Sequence, residues 1–313
     1  MEKTKRFFSN IPLGVVNLVT VISGIGTIIT TVIAIIELFK GGQPTAHFLL
    51  IALFVSILFN IILFAKVKKY SMLEQTRMRI ITCNIHLLHK TVRDLYFDAM
   101  HNKQKKIMNV TWLTQMYKNE LTKVLDNLCE VMQAYTARDV SACIKLITDN
   151  DADKPLDEEN ATLITFCRSP NSESNRNGYE SRGKEIKICD NTDFYEVVSN
   201  NYRKDYFYQT DLVAYAAERD QQNEEKYHNT NDDWKKYYHS TIVVPIRIDS
   251  NKVNHQESGS NSYHIIGFLC IDSLSTDAFT EKQEKYNVAI MRAYADLLYI
   301  MLSQYRYYLR RLG

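Results

Sequence analysis

Nine aromatic side chains are interleaved with charges and amides between residues 202 and 238. Tyr202, Tyr206, Phe207, Tyr208, Tyr215, Tyr227, Trp234, Tyr237 and Tyr238 alternate with Arg203, Lys204, Asp211, Asn229, Asp232 and Asp233. Flat rings can stack on a planar ligand such as a nucleobase, and a neighbouring carboxylate or amide can bind its polar edge. Tyr206, Tyr208, Asp211, Asn229, Trp234 and Tyr238 are therefore the candidate ligand-binding residues. The same composition suits a tyrosine-rich core or dimer surface, since tyrosine joins an apolar body to a polar tip. Residue types alone leave the two open.

Other reactive side chains are sparser. Cys83, His86 and His89 share a helical face by spacing, which can chelate a metal. Without a matching carboxylate pair they read as solvated or interhelical residues, and no metal or covalent cofactor is expected. The cysteines at 83, 129, 143, 167, 189 and 270 show no C-x-x-C spacing. Cys143 and Cys270 fall in apolar strand patterns, as buried inert thiols do. The chain carries no G-x-S-x-G, H-E-x-x-H, Walker A or G-x-G-x-x-G motif, so it is expected not to be an enzyme. Its 38 Lys+Arg against 36 Asp+Glu leave no strong field for nucleic acid.

The elements that must carry these residues begin with two apolar runs, 11–36 and 47–65, separated by the turn-prone stretch 41–45. At about 1.5 Å per residue each is long enough for a hydrocarbon core about 30 Å thick. Lys3, Lys5 and Arg6 precede them and Lys66, Lys68 and Lys69 follow, which predicts a transmembrane hairpin with both termini cytoplasmic. The expected location is a multi-pass protein of the inner or plasma membrane, with the bilayer as a partner. A polar stripe (Asn17, Thr20, Gly24, Thr27, Thr31, with Asn60 opposite) reads as a close-packing helix seam or as a pore lining in an oligomer.

Residues 70–106 follow as a membrane-proximal helix whose apolar positions, Met78, Ile81, Ile85, Leu88, Val92, Leu95 and Ala99, form a heptad seam. A second helix repeats Leu113, Tyr117, Leu121, Leu125, Leu128 and Met132 at three- and four-residue steps. The two can pair as an antiparallel hairpin or across a dimer. From residue 139 the period falls to two. Strands are predicted around 142–146, 161–167, 186–188, 242–248 and 264–272, with a helix near 194–200 and a long closing helix from 288. The expected fold class is α+β: a transmembrane hairpin (1–69), a helical linker (70–106), then an antiparallel sheet flanked by helices (107–313).

Three segments carry a family resemblance. Ser240-Thr241-Ile242-Val243-Val244-Pro245-Ile246-Arg247, Gly267-Phe268-Leu269-Cys270-Ile271-Asp272-Ser273 and Ala278-Phe279-Thr280 resemble the C-terminal half of a GAF domain. There a "vPi" strand pairs with a "G-x-L-x-x-D" strand before a loop ending in Phe. The resemblance spans residues 125–305, with its specific pattern in 240–300. It implies a pocket for a small ligand, walled by the segment before the "vPi" strand, and dimerisation through outer helices. The N-K-x-x-F signature of cyclic-nucleotide binders is absent, and Asn191-Thr192-Asp193-Phe194 only echoes it.

The expected function is a membrane-anchored, non-enzymatic GAF-like sensor, acting as a homo-oligomer. It would transmit binding of a small molecule, such as a nucleotide, to its hairpin or to a partner. No kinase, cyclase or DNA-binding module precedes Gly313, so the expected output is the membrane or a partner protein, by architectural analogy with bacterial membrane-disrupting effectors of phage defence. The alternatives are a ligand-free scaffold tethering a cytosolic protein and a GAF-fold thiol reductase. An enclosed polar-aromatic cavity favours the sensor, a solidly packed domain the scaffold, and two sulfurs converging in an open pocket the enzyme.

Overall fold

The computed structural model describes residues 24, 26, 28–29, 31–33, 35–36, 39, 43–104, 109–148, 156–175, 184–199, 204–221, 226–249 and 263–312. The chain divides into two compact units, Met1–Arg79 and Ile80–Gly313, and helix α1 (Gln43–Gln104) runs through the division.

In the first unit α1 leaves Ile51 63% and Phe54 68% exposed, along with Ile61, Ile62 and Phe64. The Asn60 amide donates to the Ser56 carbonyl at 2.9 Å, so this polar side chain is partnered along its own helix. Of the polar stripe, Asn17, Thr20 and Thr27 lie outside the described residues, and Gly24 has open space around its Cα. Among the described residues no helix is long and apolar enough to cross a membrane, so the expected pair of spans is not found there. Most of the run 11–36 lies outside those residues, and α1 continues past Ala65 into the charges of Lys66, Lys68 and Lys69.

The second unit is α+β. Among the described residues six strands form one curled antiparallel sheet in the order β3-β2-β1-β6-β5-β4. They are β1 (Ser141–Ile147), β2 (Thr162–Arg168), β3 (Ile186–Lys187), β4 (Phe207–Gln209), β5 (Ser240–Asp249) and β6 (Tyr263–Ser273). Helices α2 (Val110–Thr136) and α6 (Glu284–Leu312) cover one face. Shorter helices α3 (Pro170–Asn175), α4 (Thr192–Val198) and α5 (Leu212–Gln221) lie in the connections.

Side chains in a strand alternate between faces, and the alternation creates two cores. Ala142, Ile144 and Leu146 of β1, with Ile242, Val244, Leu269 and Ile271, meet the helices. Cys143, Ile147, Val243, Phe268 and Cys270 face the other way, toward Phe194, Phe207, Leu212 and Trp234. The "vPi" proline, Pro245, sits within β5 beyond Val243, the last residue of that strand to pair with β4, where the strand is an edge on one side.

The helical layer follows the predicted periodicity. Leu113, Tyr117, Leu121, Leu125, Leu128 and Met132 of α2 are buried, as are Val288, Met291, Ala295, Leu298, Leu302 and Tyr305 of α6. Asn109 caps α2, its side chain accepting the Trp112 amide at 2.8 Å. Within this unit the buried face of α1 is Asn84, Leu88, Thr91, Leu95 and Ala99, while Ile85 of the predicted seam is exposed. Asn127 of α2 donates to the Asn84 carbonyl at 3.3 Å, the contact of a helical hairpin within one chain. Leu88, Leu95 and Ala99 of the predicted seam are buried, with Asn84 and Thr91 in place of Ile85 and Val92.

Candidate functional site

A partly open cavity lies on the face of the sheet away from α2 and α6. Its floor is Cys143 and Lys145 of β1, Thr165 and Arg168 of β2, and Cys270 and Asp272 of β6. Its walls are Lys184 and Ile186, then Asn191, Asp193 and Phe194 at the start of α4, then Asn229, Thr230, Asn231 and Tyr238. The cavity volume is about 60 Å³. At about 10–15 Å³ per water-sized group, that holds a handful of such groups.

Local irregularity shapes the floor. The β1–β2 register shifts between Ile144 and Lys145, so Ile144 pairs with Cys167 and Lys145 with Thr165. Phe166 is the extra residue, and both it and Cys167 join the helix-side core. This bulge is why Thr165 and Arg168, an odd number of residues apart, reach the same cavity. On the helix side of the same strands Gly267 opposes Leu146, and a Cβ there would clash with the Lys145 carbonyl oxygen. Only glycine allows β6 to lie this close to β1.

Buried hydrogen bonds hold the walls. The Asn191 side-chain oxygen accepts from the Thr230 backbone N–H and hydroxyl, both at 3.1 Å, while its amide donates to the Lys187 carbonyl at 3.0 Å. The His228 N–H donates to the Thr192 hydroxyl at 2.8 Å. Asn229 donates to the Tyr238 hydroxyl at 2.6 Å and accepts the Asn231 N–H at 2.9 Å. Behind α4, Glu196 accepts from Arg219, from Tyr215 at 2.8 Å and from Lys204 at 2.6 Å. This cluster anchors α4 to α5.

Charge of both signs surrounds the cavity. Lys145, Arg168 and Lys184 face Asp193 and Asp272. Asp193 is 6% exposed and accepts the Phe194 N–H at 3.1 Å. Burial raises its pKa to about 7, with Lys145 opposing the rise and Asp272 adding to it. Asp272 accepts the Thr241 hydroxyl at 2.7 Å. Cys143 and Cys270, each 3% exposed, are directly opposite partners in the β1–β6 ladder. The thiol contact from Cys270, aided by Arg168 and Lys145, holds Cys143 below the ordinary thiol range against its burial. Burial and the same contact push Cys270 well above that range.

The residues proposed from sequence divide among three places. Asn229 and Tyr238 line the cavity, and Trp234 packs behind them against Tyr227 and Tyr238, with ring centroids 5.2 and 5.8 Å apart. Tyr206 and Tyr208 border a separate shallow groove of about 340 Å³ with Lys204, Asp205 and Glu284. There the Tyr206 hydroxyl donates to Glu284 and that of Tyr208 to the Thr280 carbonyl, each at 2.9 Å. Asp211 caps α5, accepting the Ala214 N–H at 2.9 Å. Cys83, His86 and His89 are exposed on α1, and among the described residues no group of three or more metal-ligating side chains gathers.

Sequence reasoning missed Lys145, Arg168, Asp193 and the convergence of Cys143 with Cys270. Lys145 shares strand parity with Cys143, a signal open to reading. Arg168 depends on the bulge at Phe166, which has no sequence signature.

No protein-family model and no curated protein sequence matches this chain. Among solved structures it is similar to a type II free methionine-R-sulfoxide reductase from Thermoplasma acidophilum, at 16% identity and a TM-score of 0.36 over 62% of this chain and 96% of that one. It is also similar to the GAF domain of a phosphoenolpyruvate-protein phosphotransferase from Coxiella burnetii (17% identity, TM-score 0.33, 63% of this chain and 96% of that one). A third likeness is to a far-red cyanobacteriochrome photoreceptor (13% identity, TM-score 0.37, 68% of this chain and 96% of that one). The expectation that the chain is not an enzyme is corrected by the first of these, since the similar structures include a reductase as well as a GAF domain and a photoreceptor. At these identities the likeness does not choose between them.

Proposed function

We propose that this chain is a GAF-like sensor whose cavity takes a small polar ligand bearing both positive and negative charge. The carrying observation is the opposition of Lys145, Arg168 and Lys184 to Asp193 and Asp272 around one narrow cleft. An anionic ligand group would sit against the cations and an ammonium against Asp193, with Asn229 and Tyr238 at its edge. The cavity's size favours the head group of an amino acid over a nucleotide. Tyr227, Trp234 and Tyr238 then serve to wall the site.

Occupancy would be relayed through the sheet to α2, α6 and α1, the output being an N-terminal membrane anchor or a partner protein. The anchor is supported by the apolar runs 11–36 and 47–65 and by exposed Ile51, Phe54, Ile61 and Phe64. A ligand can shift such a relay only by binding its two arrangements with different affinity.

Scanning fluorimetry of the full chain against free amino acids and cyclic mono- and dinucleotides tests this reading. A ligand at one hundred times its dissociation constant adds about 2.7 kcal/mol, readily seen as a raised Tm. Stabilisation by a zwitterion that is lost in Arg168→Gln supports the proposal. Stabilisation by no compound of either class would sink it in favour of the scaffold. A second reading, a thiol-dependent reductase, is favoured by the two sulfurs on the cavity floor. Turnover of a sulfoxide with added dithiol would establish it.

A further inference from the structure

Cys143 and Cys270 do more than line the cavity. They occupy directly opposite positions of an antiparallel ladder. In such ladders opposed Cα atoms lie about 4.5–5.5 Å apart, and disulfides bridge Cα separations of about 4.4–6.8 Å. Both side chains point to the same face and belong to the same buried cluster. They are free thiols here. Opposed ladder positions therefore put the two Cα atoms in the range that a disulfide bridges.

The route to the sulfurs is selective. The remaining sides of both thiols are packed by the sheet, so a reagent arrives through a cavity of about 60 Å³. A two-oxygen molecule is of the size that cavity takes. Lys145 and Arg168 share the floor and favour a thiolate at Cys143. Cys167 and Cys129, by contrast, face the helix-side core.

We propose that Cys143 and Cys270 form a redox site, closed to a cross-strand disulfide by a small hydroperoxide entering the cavity. The Cys143 thiolate attacks the peroxide, forming S–O and breaking O–O. The leaving oxygen takes a proton and departs as water or an alcohol. The Cys270 sulfur then attacks the Cys143 sulfenic acid, forming S–S and breaking S–O, and the second oxygen leaves as water with the Cys270 proton. The two sulfurs together lose two electrons, and the peroxide gains them. The site requires no bound zwitterion, so it is independent of the sensor reading. It shares its two sulfurs with the reductase reading and differs from it in taking a hydroperoxide as oxidant and needing no turnover.

The test is thiol mapping of the full chain, reduced and then exposed to hydrogen peroxide, denatured, alkylated and digested. The expected product is a dithiol-reversible crosslink joining the peptides that contain Cys143 and Cys270. Tert-butyl hydroperoxide should give it more slowly, at least tenfold, because of its bulk. In Cys270→Ser, a sulfenic acid should accumulate at Cys143 and be trapped by dimedone. Recovery of both residues as alkylated thiols, with oxidation confined to Cys83 and Cys189, would overturn the proposal, as would a disulfide of any other pairing. The native chain decides the matter even where the variant fails to fold.

Discussion

The Tyr294 hydroxyl of α6 donates to the Asn127 side-chain oxygen of α2 at 2.8 Å, and the same Asn127 donates to the Asn84 carbonyl of α1 at 3.3 Å. One buried amide thus joins three helices of the second unit. Replacing it with alanine leaves a buried tyrosine hydroxyl without its acceptor, an effect of about 1–3 kcal/mol. Asn127→Ala should lower the denaturant midpoint accordingly, with m unchanged. Tyr294→Phe in the same background should recover part of the loss, because the orphaned hydroxyl is then gone.

Asp193 gives stability an unusual pH dependence. Its folded pKa is about 7 against an ordinary value of 3.8, so between these limits the folded state holds a proton that the unfolded state has lost. Stability contributed by this group is full below about pH 4 and falls as pH rises toward 7, by up to about 4 kcal/mol. Asp193→Asn should remove that slope in chemical denaturation measured from pH 4 to 8. The same ionisation predicts that a ligand ammonium binds more tightly above pH 7 than below it.

Glu196 is 1% exposed and holds Arg219, whose side chain is 8% exposed. Removing one partner of such a pair strands the other, at about 3–5 kcal/mol. Glu196→Gln should therefore cost several times more than Lys204→Gln, since Lys204 sits at the solvent edge of the cluster with its side chain 43% exposed. Thermal unfolding of the two variants side by side gives the ratio.

Gly267→Ala tests the close approach of β6 to β1. The added methyl meets backbone rather than a movable side chain. Strands must separate beside Lys145, and overpacking of this kind costs about 1–3 kcal/mol. The expected result is a lowered Tm together with weakened ligand binding, whereas Leu274→Ala, at an exposed position, should leave both near their starting values.

Much of this architecture was legible in residue patterns. The continuous apolar runs 242–248 and 264–272 located β5 and β6, because both faces of these strands are buried, and the three-four rhythm of 288–309 located α6, because it buries one apolar face. β4 and α5 were not legible: β4 is three residues long, and the apolar residues of α5 are confined to its first six positions with no repeating stripe. The site was half legible. Asn229 and Tyr238 stood out by composition, but Tyr206 and Tyr208 share that composition and lie at another groove. Cys143 and Cys270 are 127 residues apart in sequence, and only strand pairing makes them neighbours.

The sheet is a partition one residue thick. Along β1, Ala142, Ile144 and Leu146 belong to the helices, while Cys143 and Lys145 belong to the cavity. The two surfaces can therefore diverge separately by point substitution, so lineages could retarget the cavity while conserving the helical side. A one-residue insertion in β1 would do the opposite, exchanging the two sets of side chains at once. Tolerance to deletion and insertion should consequently be lowest in β1 and β6.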